Sequence, residues 1–360
     1  MISDRKLSHL EICRDRNVGS RGKPTHLADV ELIHCAMPEL NIDDVKLSAN
    51  LFGKSLRAPV LISAMTGGHP ATKKVNENLA KAADELGLGI CIGSQRAAIE
   101  DSRMEDSFRI VREVSDKLLV IGNIGAAQLL DDNAVNIAER SLAMVDADAL
   151  AVHLNPLQEL VQPEGDTRYK GILKNLKKIV KSLKKPVMVK ETGCGISREV
   201  ARSLASTSIA AIDISGVGGT SWAAVEHYNA QLRGDKFKSE VADTMWDWGI
   251  PTAMAVCEVA SLGCGIPIIA SGGINNGLDM AKCIALGASY VGVARPILLQ
   301  AFESHIAVSS KLERMVHELI ISTLLTGCKS VEELQRVPKV IGGDLLNWVN
   351  QRGLAVVKGA

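Results

Sequence analysis

From Pro59 onward the chain repeats one hydrophobic pattern: a short apolar run, a Gly-rich polar corner, then a longer stretch with apolar residues at helical spacing. The runs are PVLISAM (59–65), GLGICIG (87–93), LLVIGNI (118–124), ALAVHLN (149–155), PVMVKET (186–192), AAIDISG (210–216), PIIASGG (267–273) and ASYVGVA (288–294), eight in all. Between the first two, ATKKVNENLAKAADELG places Val75, Leu79, Ala82, Ala83 and Leu86 on one helical face. Continuous apolar strands alternating with helices predict a parallel sheet covered by helices. Eight units with no leftover strand predict an α/β fold closed into a (β/α)8 TIM barrel, with a doubly wound open sheet as the alternative.

The barrel reading assigns residues 1–58 to an N-terminal extension, 59–306 to the barrel and 307–360 to a helical C-terminal tail of the same domain. The extension shows little regular pattern and is expected to fold over the barrel. A long excursion, Gly216 to Gly249, follows the sixth strand.

Composition narrows the function. The 360 residues are 46% hydrophobic and 23% charged, and 41 basic residues balance 41 acidic ones, which argues against a broad nucleic-acid or anionic-membrane surface. Met1 to Ser20 is charged, without the apolar core of a signal peptide, and no run reaches membrane-spanning length, so a cytoplasmic location is expected. Eight scattered cysteines form no CxxC pair, so a zinc site or disulfide framework is not expected, and none, Cys194 included, is assigned a catalytic role.

In such barrels chemistry gathers at the carboxyl ends of the strands. Here those ends read AMTGG, GSQR, GNIG, HLNPLQE, KETG, SGVGGTSW, SGGINNG and ARP. The glycine corners after strands seven and eight supply backbone amides suited to a phosphate, although either alone reads as a tight turn. No GxGxxG fingerprint follows an early strand, which counts against a Rossmann fold. The stretch DALAVHLNPLQELVQPEGD sets an amide beside a carboxylate, Gln158 and Glu159, just past strand four.

Taken together, RKLSH (5–9), SAMTGG (63–68), GSQR (93–96), GNIG (122–125), HLNPLQE (153–159), KETG (190–193), GGTSW (218–222) and ASGGI (270–274) resemble the type 2, FMN-dependent isopentenyl-diphosphate delta-isomerases. The likeness covers nearly the whole chain in motif order. It implies an enzyme of isoprenoid biosynthesis that interconverts isopentenyl and dimethylallyl diphosphate, using reduced FMN, NADPH as reductant and Mg2+, in a homotetramer or homo-octamer. By position it implies flavin contacts at Ala64, Met65, Thr66, Ser94, Asn123, Lys190 and Thr220, and flavin-phosphate contacts at Gly273, Ile274, Asn275, Ala294 and Arg295. Substrate contacts would fall to Arg5, Lys6, His9, Ser94, Gln95, Arg96, His153, Asn155 and Gln158, with Glu159 on the metal and Gln158, His153 and Lys190 serving catalysis. Many members read GGIR where this chain reads GGIN, ending in Asn275.

The reaction adds one proton to the terminal alkene carbon and removes another, with positive charge developing on a tertiary carbon. It needs an acid, a base and an electron-rich neighbour away from water. Lys190 could favour a reduced flavin anion, form a Schiff base as in aldolase-type barrels, or sit solvated at the rim. Glu159 is a hard ligand suited to Mg2+, or a loop carboxylate. Arg5, Lys6 and Arg96 suit a diphosphate, or Arg5 and Lys6 form a solvated tail. His9 and His153 could instead be capping or core histidines. Trp222 is a wall for an apolar substrate or ordinary packing. A carboxamide is a very poor proton acid or base, so Gln158 is read as an orienting group. The rival flavin barrel is a 2-hydroxy-acid oxidase or a dehydrogenase of the nucleotide-biosynthesis type; such oxidases carry a His-Gly-Gly corner where this chain has SGVGGTS (215–221). A flavin-free aldolase or phospho-ligand binder is the other rival.

Overall fold

A computed structural model describes residues 2–355; Met1 and residues 356–360, the outer limits of the extension and tail, lie outside the described residues. Eight parallel strands close into a barrel: β1 (Val60–Ile62), β2 (Gly89–Cys91), β3 (Leu119–Gly125), β4 (Ala149–Leu154), β5 (Val187–Glu191), β6 (Ala211–Asp213), β7 (Ile268–Ala270) and β8 (Tyr290–Val293). The barrel closes where Val291 and Val293 of β8 pair with Val60 and Ile62 of β1. The strands read as unbroken apolar runs because both faces are covered, by the barrel interior inside and helices outside. Helix Lys73–Leu86 is the pattern realised: Val75, Leu79, Ala82 and Ala83 are buried, and Gly87 ends it in the left-handed conformation at φ 63°.

The extension is more regular than its sequence suggests. It holds a helix, Ile2–Asp15, a strand, Val30–Leu32, and a hairpin, Ala49–Leu51 with Lys54–Leu56. The helix lacks apolar periodicity because one of its faces meets a polar cavity. Leu51 and Leu56 pack with Leu61, Leu119, Met188 and Tyr290, and the Tyr290 hydroxyl donates to the Asn50 carbonyl at 2.6 Å, so the hairpin closes the barrel interior away from the catalytic end. Strand Val30–Leu32 pairs antiparallel with Lys339–Ile341 of the tail, tying the two ends of the chain together.

One boundary differs from the pattern-based division. Helix His305–Leu324 packs between Lys73–Leu86 and Gly277–Ala285, which makes it the eighth barrel helix; a division after residue 306 cuts through it. The excursion after β6 forms a helical hairpin, Trp222–Leu232 and Lys236–Thr244, against which the N-terminal helix packs. No helix among the described residues is long and apolar enough to cross a membrane.

Candidate active site

A cavity of about 480 Å³ opens at the carboxyl ends of the strands. Every site residue nominated from the sequence lines it except Gln95. Gln95 is fully buried and points the other way: its Nε2 donates to the Ser141 carbonyl at 2.8 Å and its Oε1 accepts from the Asn123 N–H at 2.9 Å. Its neighbours Ser94 and Arg96 face the cavity, so Gln95 belongs to the wall, which corrects its nomination as a substrate contact.

Strand register builds the floor. Gly125 pairs with His153, His153 with Lys190, and Lys190 with Asp213, a row across β3 to β6. Lys190 is buried, and its ammonium donates to the Glu191 carbonyl at 2.7 Å. It is therefore not a solvated rim lysine. Asp213 Oδ1 accepts from the Ser271 hydroxyl at 2.5 Å and the Ser215 N–H at 3.2 Å. Burial pushes its carboxyl pKa up, with Lys190 and these two donors opposing.

His153 is held neutral. Burial, then the charges of Lys190 and Lys6, push its pKa down to about 3. Its Nδ1 lies 2.9 Å from Asn123 Oδ1, while Asn123 Nδ2 donates to the Ile92 carbonyl at 2.9 Å. That second bond fixes the amide orientation, so the proton sits on Nδ1 and Nε2 keeps a lone pair. His153 is thus neither a cationic acid nor a strong base; it can accept a hydrogen bond.

The Gln158–Glu159 pair lies in the first turn of a helix, Pro156–Val161, with Pro156 at its first position. Pro156 thus starts the helix that carries the pair. Successive helical residues point about 100° apart. Gln158 Nε2 donates to Glu226 Oε1 at 3.1 Å, whereas Glu159 accepts from Asn155 Nδ2 at 3.0 Å, Gln162 Nε2 at 2.5 Å and the Asp166 N–H at 2.8 Å.

Glu226 is the principal functional candidate absent from the sequence reading. Fully buried on helix Trp222–Leu232, it also accepts from Asn229 Nδ2 at 3.0 Å and lies 3.0 Å from His9 Nε2. Burial raises its pKa, but His9, Asn229 and Gln158 outweigh burial and hold the carboxyl below its ordinary value. A signal was present: Glu226 shares a helical face with Trp222, Ala223, Asn229 and Ala230, a carboxylate on a largely apolar stripe.

Cationic groups face the cavity in excess. Lys6 is pushed down to about 8, by burial first and then by Arg5 and Arg96, with Glu159 and Glu226 opposing. Such mutual repulsion favours a polyanion. At the β6–β7 corner a Cβ on Gly219 would lie 2.4 Å from the Gly273 nitrogen, and Gly273 itself has φ +72°. Only glycine allows this approach of two backbones. Arg295 stands beside this corner with no carboxylate partner among the described residues. Burial pushes the Cys91 and Cys257 thiols up to about 12, so neither is a nucleophile.

Barrel and cavity together define a flavin-type barrel: residues 138–339 match the family described as FMN-dependent dehydrogenase. A mandelate oxidase variant solved with benzaldehyde superposes with a TM-score of 0.65 at 20% identity, over 94% of this chain and 95% of the oxidase. Mandelate oxidase with (S)-4-hydroxymandelic acid gives 0.63 at 18%, over 95% and 99%. At that identity the likeness is one of fold. The isopentenyl-diphosphate delta-isomerase of Methanosarcina barkeri is 47% identical over 98% of this chain and 96% of its own length. That of Methanothermobacter thermautotrophicus is 46% identical over 99% of both, and that of Archaeoglobus fulgidus 44% over 98% and 99%. The chain belongs to the isopentenyl-diphosphate delta-isomerase family.

Proposed function

We propose that this protein interconverts isopentenyl and dimethylallyl diphosphate by an allylic proton shift, with FMN and substrate sharing the barrel mouth. The observation that carries the reading is one cavity lined by two cationic groupings: Arg295 beside the glycine corner, suited to the flavin phosphate, and Arg5, Lys6 and Arg96, suited to a diphosphate. The residues fit FMN: Gly272, Gly273 and Ala294 bring backbone to the phosphate corner, Ala64, Met65 and Thr66 supply wall, and Lys190 supplies buried positive charge.

Bound and reduced, FMN supplies an electron-rich ring system able to stabilise a developing carbocation and to carry protons. Lys190 favours the anionic form of such a ring. Gln158 is oriented by Glu226 and holds the alkene end, with His153 Nε2 accepting a hydrogen bond. Ser94, Asn155 and His9 complete the polar wall, and Trp222 closes the apolar side. A 2-hydroxy-acid oxidase is disfavoured, because the corner at Val217–Gly219 offers no histidine base.

Glu159 Oε1 retains an accepting position, which suits a Mg2+ ion held mainly by the diphosphate, since Mg2+ favours one or two carboxylates plus phosphate oxygens. NADPH is the proposed reductant, checked by bleaching of the bound flavin spectrum under anaerobic conditions. A homotetramer or homo-octamer is also proposed. Leu232, Phe237 and Trp248, 71%, 73% and 63% exposed, offer apolar surface for it, and light scattering is the check.

The deciding experiment is an isomerase assay on purified protein with and without FMN and reductant. Turnover should require both and consume no reductant in proportion to product. A colourless protein that takes up no FMN, or NADPH oxidised mole for mole with product, defeats the reading.

A further inference from the structure

A carboxylate anchors the backbone of the strap that joins the N-terminal helix to the rest of the extension. Asp247, just past the excursion hairpin, accepts from the Ser20 hydroxyl at 2.9 Å, the Arg21 N–H at 3.0 Å and the Gly22 N–H at 2.8 Å. Burial acts to raise its pKa, but the donors on Gly22, Arg21 and Ser20 and the charge of Lys23 prevail and hold it below the ordinary carboxylate range.

Neighbouring contacts reinforce the same seam. The Arg21 guanidinium lies 3.4 Å from the Trp246 ring centroid and bonds Asp243 at 2.7 Å. Trp246 Nε1 donates to the Gly19 carbonyl at 2.9 Å, and Lys23 Nζ to the Gly249 carbonyl at 3.1 Å. Residues 19–23 thus meet 243–249 as one unit.

What the strap touches gives the seam a function. Gly19 and Ser20 line the cavity, and a Cβ on Gly19 would lie 2.8 Å from an Arg295 guanidinium nitrogen, so strap backbone lies against the cation of the glycine corner. Immediately upstream runs the helix that brings Arg5, Lys6 and His9 into the same cavity. The strap thus touches Arg295 and also fixes where this helix ends its path across the mouth.

We propose that Asp247 is a positioning residue: by fixing residues 20–22 it seats the strap against Arg295 and sets the N-terminal helix, and so governs how firmly the barrel mouth retains its phosphorylated ligands. This rests on reading the cavity as the FMN and diphosphate site.

The test uses full-length wild type, Asp247→Ala, which removes every acceptor, and Asp247→Asn, which keeps one neutral oxygen. Three readouts are taken: FMN release from the purified holoprotein on dilution, kcat and KM for isopentenyl diphosphate, and tryptic cleavage after Arg16 and Arg21. Asp247→Ala should release FMN roughly tenfold faster and raise KM by about tenfold, with kcat within about threefold, as expected for loss of charge-assisted bonds that position rather than react. Its strap should be cut rapidly, and Asp247→Asn should fall between. A purely structural role would lower the Tm without separating KM from kcat. Release and KM within about twofold of wild type, or an uncut strap, overturn the proposal. Should Asp247→Ala fail to fold, Asp247→Asn decides on the same readouts. Wild type that takes up no FMN would sink the cofactor reading, leaving Asp247 to be judged on cleavage and on KM.

Discussion

Gln158 and Glu226 are joined by a 3.1 Å hydrogen bond, so a carboxamide just past β4 is oriented by a fully buried carboxylate from the excursion after β6. Glu226→Gln keeps the volume but removes the charge that also faces His9. The expected result is a fall in kcat of roughly a hundredfold with FMN affinity unchanged. Wild-type kcat in a folded variant would remove Glu226 from the catalytic machinery.

Lys6, held at about 8, gives a pH dependence of known sign. An anion binds the ammonium form and raises its pKa, so binding above about pH 8 requires proton uptake. KM for isopentenyl diphosphate should therefore rise as pH passes above 8. Lys6→Arg, which stays charged, should flatten that rise; an unchanged profile would show that another group is responsible.

Gln95 tests the distinction between wall and ligand. Gln95→Leu leaves the Asn123 N–H and Ser141 carbonyl without their partner, at an expected cost of about 2–3 kcal/mol in denaturant unfolding. KM should move less than about threefold. A large KM increase without loss of stability would return Gln95 to the substrate.

How far the sequence could be read follows from which contacts are local. Strands such as VMVKE and the face of Lys73–Leu86 were legible because burial imposes a period. GSQR was legible as a corner but not residue by residue, since it takes the bonds of Gln95 to Asn123 of β3 and to Ser141 to turn it from the cavity that Ser94 and Arg96 line. The helix carrying Arg5, Lys6 and His9 was hidden because a helix facing a polar cavity has no apolar stripe to display. Glu226 was passed over because its value depends on where a hairpin docks, which is tertiary information.

Glu159 is the carboxylate on which the proposed Mg2+ role is tested. Glu159→Gln should raise the Mg2+ concentration for half-maximal activity by roughly tenfold while leaving FMN binding intact. An unchanged metal titration would place the cation on the diphosphate alone.

Lys190 should tune the flavin. Lys190→Ala is expected to lower the midpoint potential of bound FMN by roughly 50 mV, about 2.3 kcal/mol over two electrons, as a buried positive charge near the ring is lost. An unchanged potential would leave Lys190 a structural floor residue.

The strap that bridges Gly19 to Thr220, and the strand that pairs Val30 with Ile341, make residues 2–32 wait for partners made much later. As the chain leaves the ribosome, the helix with Arg5, Lys6 and His9 emerges well before the excursion after β6 on which it docks, and its tether stays loose until residue 341 appears. The barrel can assemble around an open mouth, and competence to hold a diphosphate arrives as a late event of folding. A nascent or C-terminally clipped protein would then be barrel-shaped before it could capture substrate.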